Sequence, residues 1–307
     1  MSFIVDREAG FPAPSEREKI NKLVEKYRNI LRKNPTRSDI GEIKFGLADL
    51  YVGRGDPGDY DKARFFYEDI LKTSGSPYLR ARAQVGKAEL AVPGIKKQDI
   101  QNAIDLCLTA RKALSDDLSD FFAAKSYIIE ADLRLVRDDP GDHGAALKIH
   151  EKLIKEKSAH WYFRARALLG KAELILYHDP QKISEAITLC PRATRLLKDR
   201  PGDYFALKTK IIESELRIRR AKGNDFKASE KLLKEVVSFP HAYRDLLARA
   251  KADLAEISKH PLASKLLKDL QQMEGLDPYL IDKIRQVESK ISSKGGSALG
   301  RKESPAK

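Results

Sequence analysis

The stretch Arg80-Ala81-Arg82-Ala83-Gln84-Val85-Gly86-Lys87-Ala88-Glu89-Leu90 returns further along the chain as Arg164-Ala165-Arg166-Ala167-Leu168-Leu169-Gly170-Lys171-Ala172-Glu173-Leu174, with nine of the eleven positions identical. Its closing triplet recurs six times, as Ala48-Asp49-Leu50, Ala88-Glu89-Leu90, Ala131-Asp132-Leu133, Ala172-Glu173-Leu174, Ser214-Glu215-Leu216 and Ala252-Asp253-Leu254. The step from one triplet to the next is nearly constant throughout. A fixed step of roughly 20–50 residues marks an array in which each unit buries its apolar face against its neighbours. The array overrides the prior of two ordinary domains that a chain of 307 residues would otherwise carry.

The punctuation around the triplets predicts paired helices. A lead helix over 15–33 opens on a capping box of Ser15 and Glu18, carries Ile20, Leu23, Val24, Tyr27, Ile30 and Leu31 on one face, and stops at Asn34-Pro35. Each repeat then reads as a first helix bearing the triplet and a second helix behind it. In repeat one these span about 38–52 and 60–73, with Asp59 as the expected cap of the second. Repeat two stops its first helix at Pro93 and runs its second over about 98–114. Asp139-Pro140-Gly141-Asp142 in repeat three echoes Asp56-Pro57-Gly58-Asp59. Repeat four covers about 160–199, with Pro191 expected to kink its second helix. Repeat five follows Pro201-Gly202-Asp203 and breaks at Gly223-Asn224-Asp225, and repeat six covers about 241–274. A closing helix over 278–292 covers the last repeat, while residues 1–14 and 293–307 read as a loose arm and a flexible basic tail. The expected fold is all-α, one solenoid over 15–292. Gly86 and Gly170 stand where Ile129 and Ile212 stand in repeats three and five, so adjacent packings should alternate, as duplication of a two-repeat unit would produce.

Composition narrows the function classes. The net charge of +13 favours acidic partners, nucleic acid or anionic surfaces, and says nothing of fold. Cys107 and Cys190 occupy equivalent places two repeats apart, too far for a disulfide, and read as small buried residues of a reducing compartment. No leader and no apolar run long enough for a bilayer is visible, so a cytoplasmic location is expected. Gly53-Arg54-Gly55-Asp56-Pro57-Gly58 fits a phosphate-loop spacing, but it follows a helix and holds a proline, so it reads as a plain loop. The six histidines show no metal spacing and read mostly as surface residues. No catalytic residue, metal or cofactor is expected.

Leu47-Ala48-Asp49-Leu50-Tyr51, followed by Asp59-Tyr60-Asp61-Lys62-Ala63-Arg64-Phe65-Phe66-Tyr67-Glu68-Asp69-Ile70-Leu71, resembles the tetratricopeptide repeat. Ala48 and Tyr51 match the small residue and aromatic of that family's first helix, and Ala63 and Tyr67 match those of its second. The pattern extends over about 38–275 with a step near 42 rather than the family's 34. The resemblance implies a right-handed superhelix whose first helices line a concave, peptide-binding surface. The asparagine of the family's carboxylate clamp is absent, with acids in its place.

Those acids, Asp49, Glu89, Asp132, Glu173, Glu215 and Asp253, form a ladder of one per repeat, and Arg82, Lys125, Arg166 and Lys208 stand seven residues before four of them. The ladder reads either as ion pairs between repeats that hold register or as a charged groove that binds a peptide. Within one helix, Arg249 could reach Asp253 and Arg219 could reach Glu215. A second column, Tyr78, Phe121, Tyr162 and Tyr204, with Trp161 and Tyr243 close by, reads mainly as inter-helix packing and alternatively as a stacking surface for bases. The expected function is a non-catalytic scaffold or adaptor that binds a protein segment along the concave face. The alternative is nucleic-acid or anionic-surface binding through the basic surface and tail. The partner's identity and the oligomeric state are not written in the sequence.

Overall fold

A computed structural model describes residues 14–33, 38–91, 97–239, 243–273, 275–276 and 278–299. Among them are fourteen α-helices, one short 3-10 turn and no strand. The lead helix α1 spans Pro14–Lys33. The six pairs are α2 (Ile40–Arg54) with α3 (Asp59–Thr73), α4 (Pro77–Glu89) with α5 (Lys97–Ala113), and α6 (Phe121–Arg137) with α7 (Asp142–Lys155). They continue as α8 (Trp161–His178) with α9 (Ile183–Leu196), α10 (Tyr204–Arg220) with α11 (Asp225–Val237), and α12 (Arg244–Ile257) with α13 (His260–Gln271). The closing helix α14 spans Pro278–Leu299, seven residues past the expected end at 292, so the first part of the expected tail is helical. The arm up to residue 13, the stops at Pro35 and Pro93, and residues 300–307 lie outside the described residues. Helix α9 continues through Pro191.

Consecutive helices pack against each other, as a helical repeat requires. The chain divides into two compact units, one running to Lys171 and the other from Ala172, the division falling inside α8. In the first unit, α2 touches α4 and α4 touches α6; in the second, α10 touches α12 and α12 touches α14. Among the described residues, successive second helices make no such approach in either unit. Within each unit the first helices therefore lie side by side in one row, and the ladder lies on them.

The core is built from small residues on the first helices and larger ones behind them. Ala81, Val85 and Ala88 of α4 are fully buried with Ile104, Cys107 and Ala110 of α5 packed on them, and Ala83 is fully buried on the side of Phe45 and Tyr67. Both thiols are free and buried, and burial pushes both well above their ordinary range. The glycine-isoleucine alternation has a direct cause. A Cβ at Gly86 would come within 2.6 Å of Tyr67 Cε1, and one at Gly170 within 2.5 Å of His150 Nε2. Each glycine makes room for a ring from the second helix of the preceding repeat. Tyr67, His150 and Leu233 follow one another at steps of 83, and all three are buried.

Asp59 and Asp142 do not cap their helices as expected. Gly58 and Gly141 hold the cap positions with φ of 78° and 91°, a left-handed conformation glycine adopts without strain. The aspartates stand one residue inside and fold back on the loop. Asp59 accepts from the Arg54 guanidinium at 2.7 Å and from the Asp56 amide at 3.2 Å. Asp142 accepts from Arg137 and the Asp139 amide, and Asp225 accepts from Arg220 and the Lys222 amide. Arg54, Arg137 and Arg220 recur at a step of 83, so this latch belongs to the odd-numbered repeats. Hydrogen bonds from Arg220 hold the Asp225 carboxyl down at about 2, although the side chain is buried.

Candidate functional site

From Lys125 onward, each ladder base reaches the acid of the preceding first helix. Lys125 Nζ lies 2.7 Å from Glu89 Oε2, and Arg166 Nη2 lies 2.8 Å from Asp132 Oδ2, both within the first unit. In the second unit, Lys208 Nζ lies 3.0 Å from Glu173 Oε1. Arg249 takes Glu215 with Nε and Nη2, each at 2.7 Å, so the intrahelical pair expected with Asp253 gives way to one between helices. Asp253 is met by Lys283 of α14, which also lies 3.3 Å from Glu215. Arg219, the other base expected to pair within its helix, donates instead to the carbonyl of Leu176. Helix geometry accounts for Lys125, Arg166 and Lys208: a residue seven positions before the acid of its own helix lies on nearly the same face, two turns toward the N-terminus, where it meets the neighbouring helix.

The first step of the ladder differs. Glu42 occupies the base position of α2, and Arg82 pairs with it at 2.7 Å rather than with Asp49. Asp49 accepts a hydrogen bond from the Tyr67 hydroxyl at 2.6 Å, and Arg82 lies over the Phe45 ring, 4.2 Å from its centroid. The ladder becomes drier along the chain. Acid side-chain exposure falls from 27% at Glu89 and Asp132 to 1% at Asp253. Beside Asp253, the Tyr177 hydroxyl accepts from Arg249 at 2.6 Å. Burial beside the Glu215 charge pushes the Asp253 carboxyl up to about 7. Glu215 goes the other way: burial opposes its charge, but Arg249 and Lys283 hold it well below the usual range.

The aromatic column is split between packing and surface. Tyr204 is buried and donates to Asp245 at 2.9 Å. Tyr78 donates to Asp120 at 3.0 Å yet stays 45% exposed, and Phe121 and Trp161 are 42% and 37% exposed. The reading of the histidines as mostly surface residues fails at His150. It is 1% exposed, neither ring nitrogen has a hydrogen-bond partner, and burial, helped by Arg166, lowers its titration to about 3. Among the described residues, no group of three or more His, Cys, Asp or Glu side chains is placed to hold a metal ion. No described helix is long and apolar enough to cross a membrane.

Two features lie outside the expectations drawn from the sequence. The latch arginines carry a signal of their own, a step of 83 that places each of them five residues before its aspartate. Lys283 carries none beyond its place in the closing helix, which has no triplet. No protein-family model matches the chain, and no curated protein matches it. The tetratricopeptide resemblance therefore rests on the residues of repeat one.

Proposed function

We propose that the chain is a non-catalytic, tetratricopeptide-like adaptor whose row of first helices holds a segment of a partner protein. One observation carries this reading: from Glu89 onward, every ladder acid on that row is closed by a base of a following helix. A carboxylate has about four acceptor sites, a guanidinium five donors and an ammonium three, so each pair keeps capacity for further hydrogen bonds. A row of such pairs can meet the backbone of an extended segment without an uncompensated charge. Where the pairs are part-exposed, at Glu89–Lys125 and Asp132–Arg166, that capacity lies within reach of a partner.

The test exchanges charges without breaking pairs. A random-peptide display library is panned on the full chain, and enriched peptides are measured against a variant carrying Glu89→Lys with Lys125→Glu. The variant keeps an ion pair across α4 and α6 and inverts its polarity. Peptides that bind the native chain and lose roughly tenfold or more on the variant support the reading. A library that yields no specific binder, or binders indifferent to the exchange, refutes it.

A further inference from the structure

We propose that one edge of the first unit, at the N-terminal ends of α4, α6 and α8, binds single-stranded nucleic acid, its bases stacking on Tyr78, Phe121 and Trp161 and its phosphates meeting Lys72, Lys112 and Lys155. Apart from Arg82, which borders both, this edge is separate from the Glu89–Lys125 and Asp132–Arg166 pairs on which the adaptor reading rests, and its failure would leave that reading untouched.

The connections place both sets of residues together. Helix α3 ends at Thr73 and α4 begins at Pro77, α5 ends at Ala113 and α6 begins at Phe121, and α7 ends at Lys155 and α8 begins at Trp161. Each second helix thus delivers a lysine from its last turn to the end of the unit where the next first helix presents its aromatic. The three rings join into one surface. The Arg82 guanidinium carbon lies 5.7 Å from the Tyr78 ring centroid and 4.8 Å from that of Phe122. Phe122 lies 5.2 Å from Phe121, Phe121 lies 5.3 Å from His160, and His160 lies 5.3 Å from Trp161.

The charges on this edge are unequal in their engagement. Lys72, Lys112 and Lys155 are exposed and make no ion pair among the described residues. The acids beside them are occupied. Asp116 accepts from Lys152 and Tyr127, and Asp117 from the amide and hydroxyl of Ser119. Asp120 caps α6 and takes the Tyr78 hydroxyl, and Glu156 accepts from Ser158. Lysines at helix C-termini complement the helix dipole, but that role does not account for the exposed rings at the starts of α4, α6 and α8, across the same three connections. Rings and cations together select the ligand. A duplex hides the faces of its bases, and a purely acidic peptide leaves the rings unused, whereas a splayed single strand offers a flat π-face and a phosphate at each step.

Trp161 is the only tryptophan in the chain, so its emission reports on this edge alone. The experiment titrates the full chain with fluorescein-labelled oligouridine, reading anisotropy and Trp161 quenching over a range of salt concentrations. The expected result is binding with quenching, weakening with salt at a log–log slope of about −2 for three neutralised phosphates. Trp161→Ala should cost roughly tenfold in affinity. The triple variant Lys72→Gln, Lys112→Gln, Lys155→Gln, whose changes are all on exposed side chains, should flatten the slope and weaken binding at least tenfold. No binding at low salt, binding without Trp161 quenching, or an unaltered slope in the triple variant overturns the proposal. Equal affinity for a duplex overturns it as well, and so does equal quenching by polyglutamate, which would make the edge a protein-docking surface.

Discussion

Replacing His150 with leucine should stabilise the protein, and by more in acid than at neutral pH. The imidazole is 1% exposed, lies against the bare backbone of Gly170, and finds no partner for either nitrogen. An unsatisfied buried polar group costs about 1–3 kcal/mol. Leucine has a similar volume and no polar atom, and Leu233 already fills the equivalent place, fully buried, two repeats later. At pH 7 the gain should be about 1–3 kcal/mol. Below that a second effect enters. The folded-state titration of His150 lies at about 3, against 6.5 for a free histidine. Between these values the unfolded chain binds a proton that the folded chain does not, so native stability falls as pH falls. At about 1.4 kcal/mol per unit, the loss from pH 7 to pH 5 is about 2 kcal/mol. His150→Leu removes that loss, so its advantage should grow to about 3–5 kcal/mol at pH 5. Urea unfolding followed by Trp161 emission, which lies in the same unit, measures both quantities. A variant less stable than the native chain, or one whose advantage stays constant between pH 7 and pH 5, would refute the reasoning.

Gly86→Ala should destabilise by about 1–3 kcal/mol, because its Cβ would meet the buried Tyr67 ring at 2.6 Å; paired with Tyr67→Leu in denaturant titrations, most of the loss should disappear. Arg137→Ala strips the two-pronged partner from Asp142, which is 2% exposed, and leaves it Arg134 at 3.3 Å, so it should cost about 1–3 kcal/mol in the same assay. Asp253 works in the opposite sense to His150. Its carboxyl titrates at about 7 when folded and 3.8 when free, so the folded chain takes up the proton first and gains stability as pH falls through 7. Relative to Asp253→Asn, the native chain should gain about 2–3 kcal/mol between pH 8 and pH 5, measured by unfolding at each pH.

The helices and their pairing were legible because repetition amplifies a weak local signal. One triplet says little, but six at a near-constant step fix the frame, and proline-glycine punctuation divides it. What the sequence hides is which of two neighbours a side chain chooses. Arg249 stands four residues before Asp253 yet pairs with Glu215 on the preceding first helix, which lies against its own. Asp59 has the look of a capping residue, yet Gly58 takes the cap and leaves the carboxylate to the loop. His150 could not be placed from its own neighbours, which are those of an ordinary amphipathic helix. Its burial follows only from aligning it with Tyr67 and Gly86 through the two-repeat step. The ladder was visible as a column, and the choice between register pairs and a groove was open. The structure closes the pairs from Glu89 onward.

The central claim is that the ladder joins each first helix to the next, and a double-mutant cycle on Asp132 and Arg166 tests it most directly. Asp132→Asn, Arg166→Met and the two together are measured by urea unfolding at low and high salt. The pair is part-buried at 2.8 Å, so a coupling of about 1–2 kcal/mol that weakens with salt is predicted. Additive effects, with no coupling at either salt concentration, would contradict the claim that these pairs hold the repeats in register.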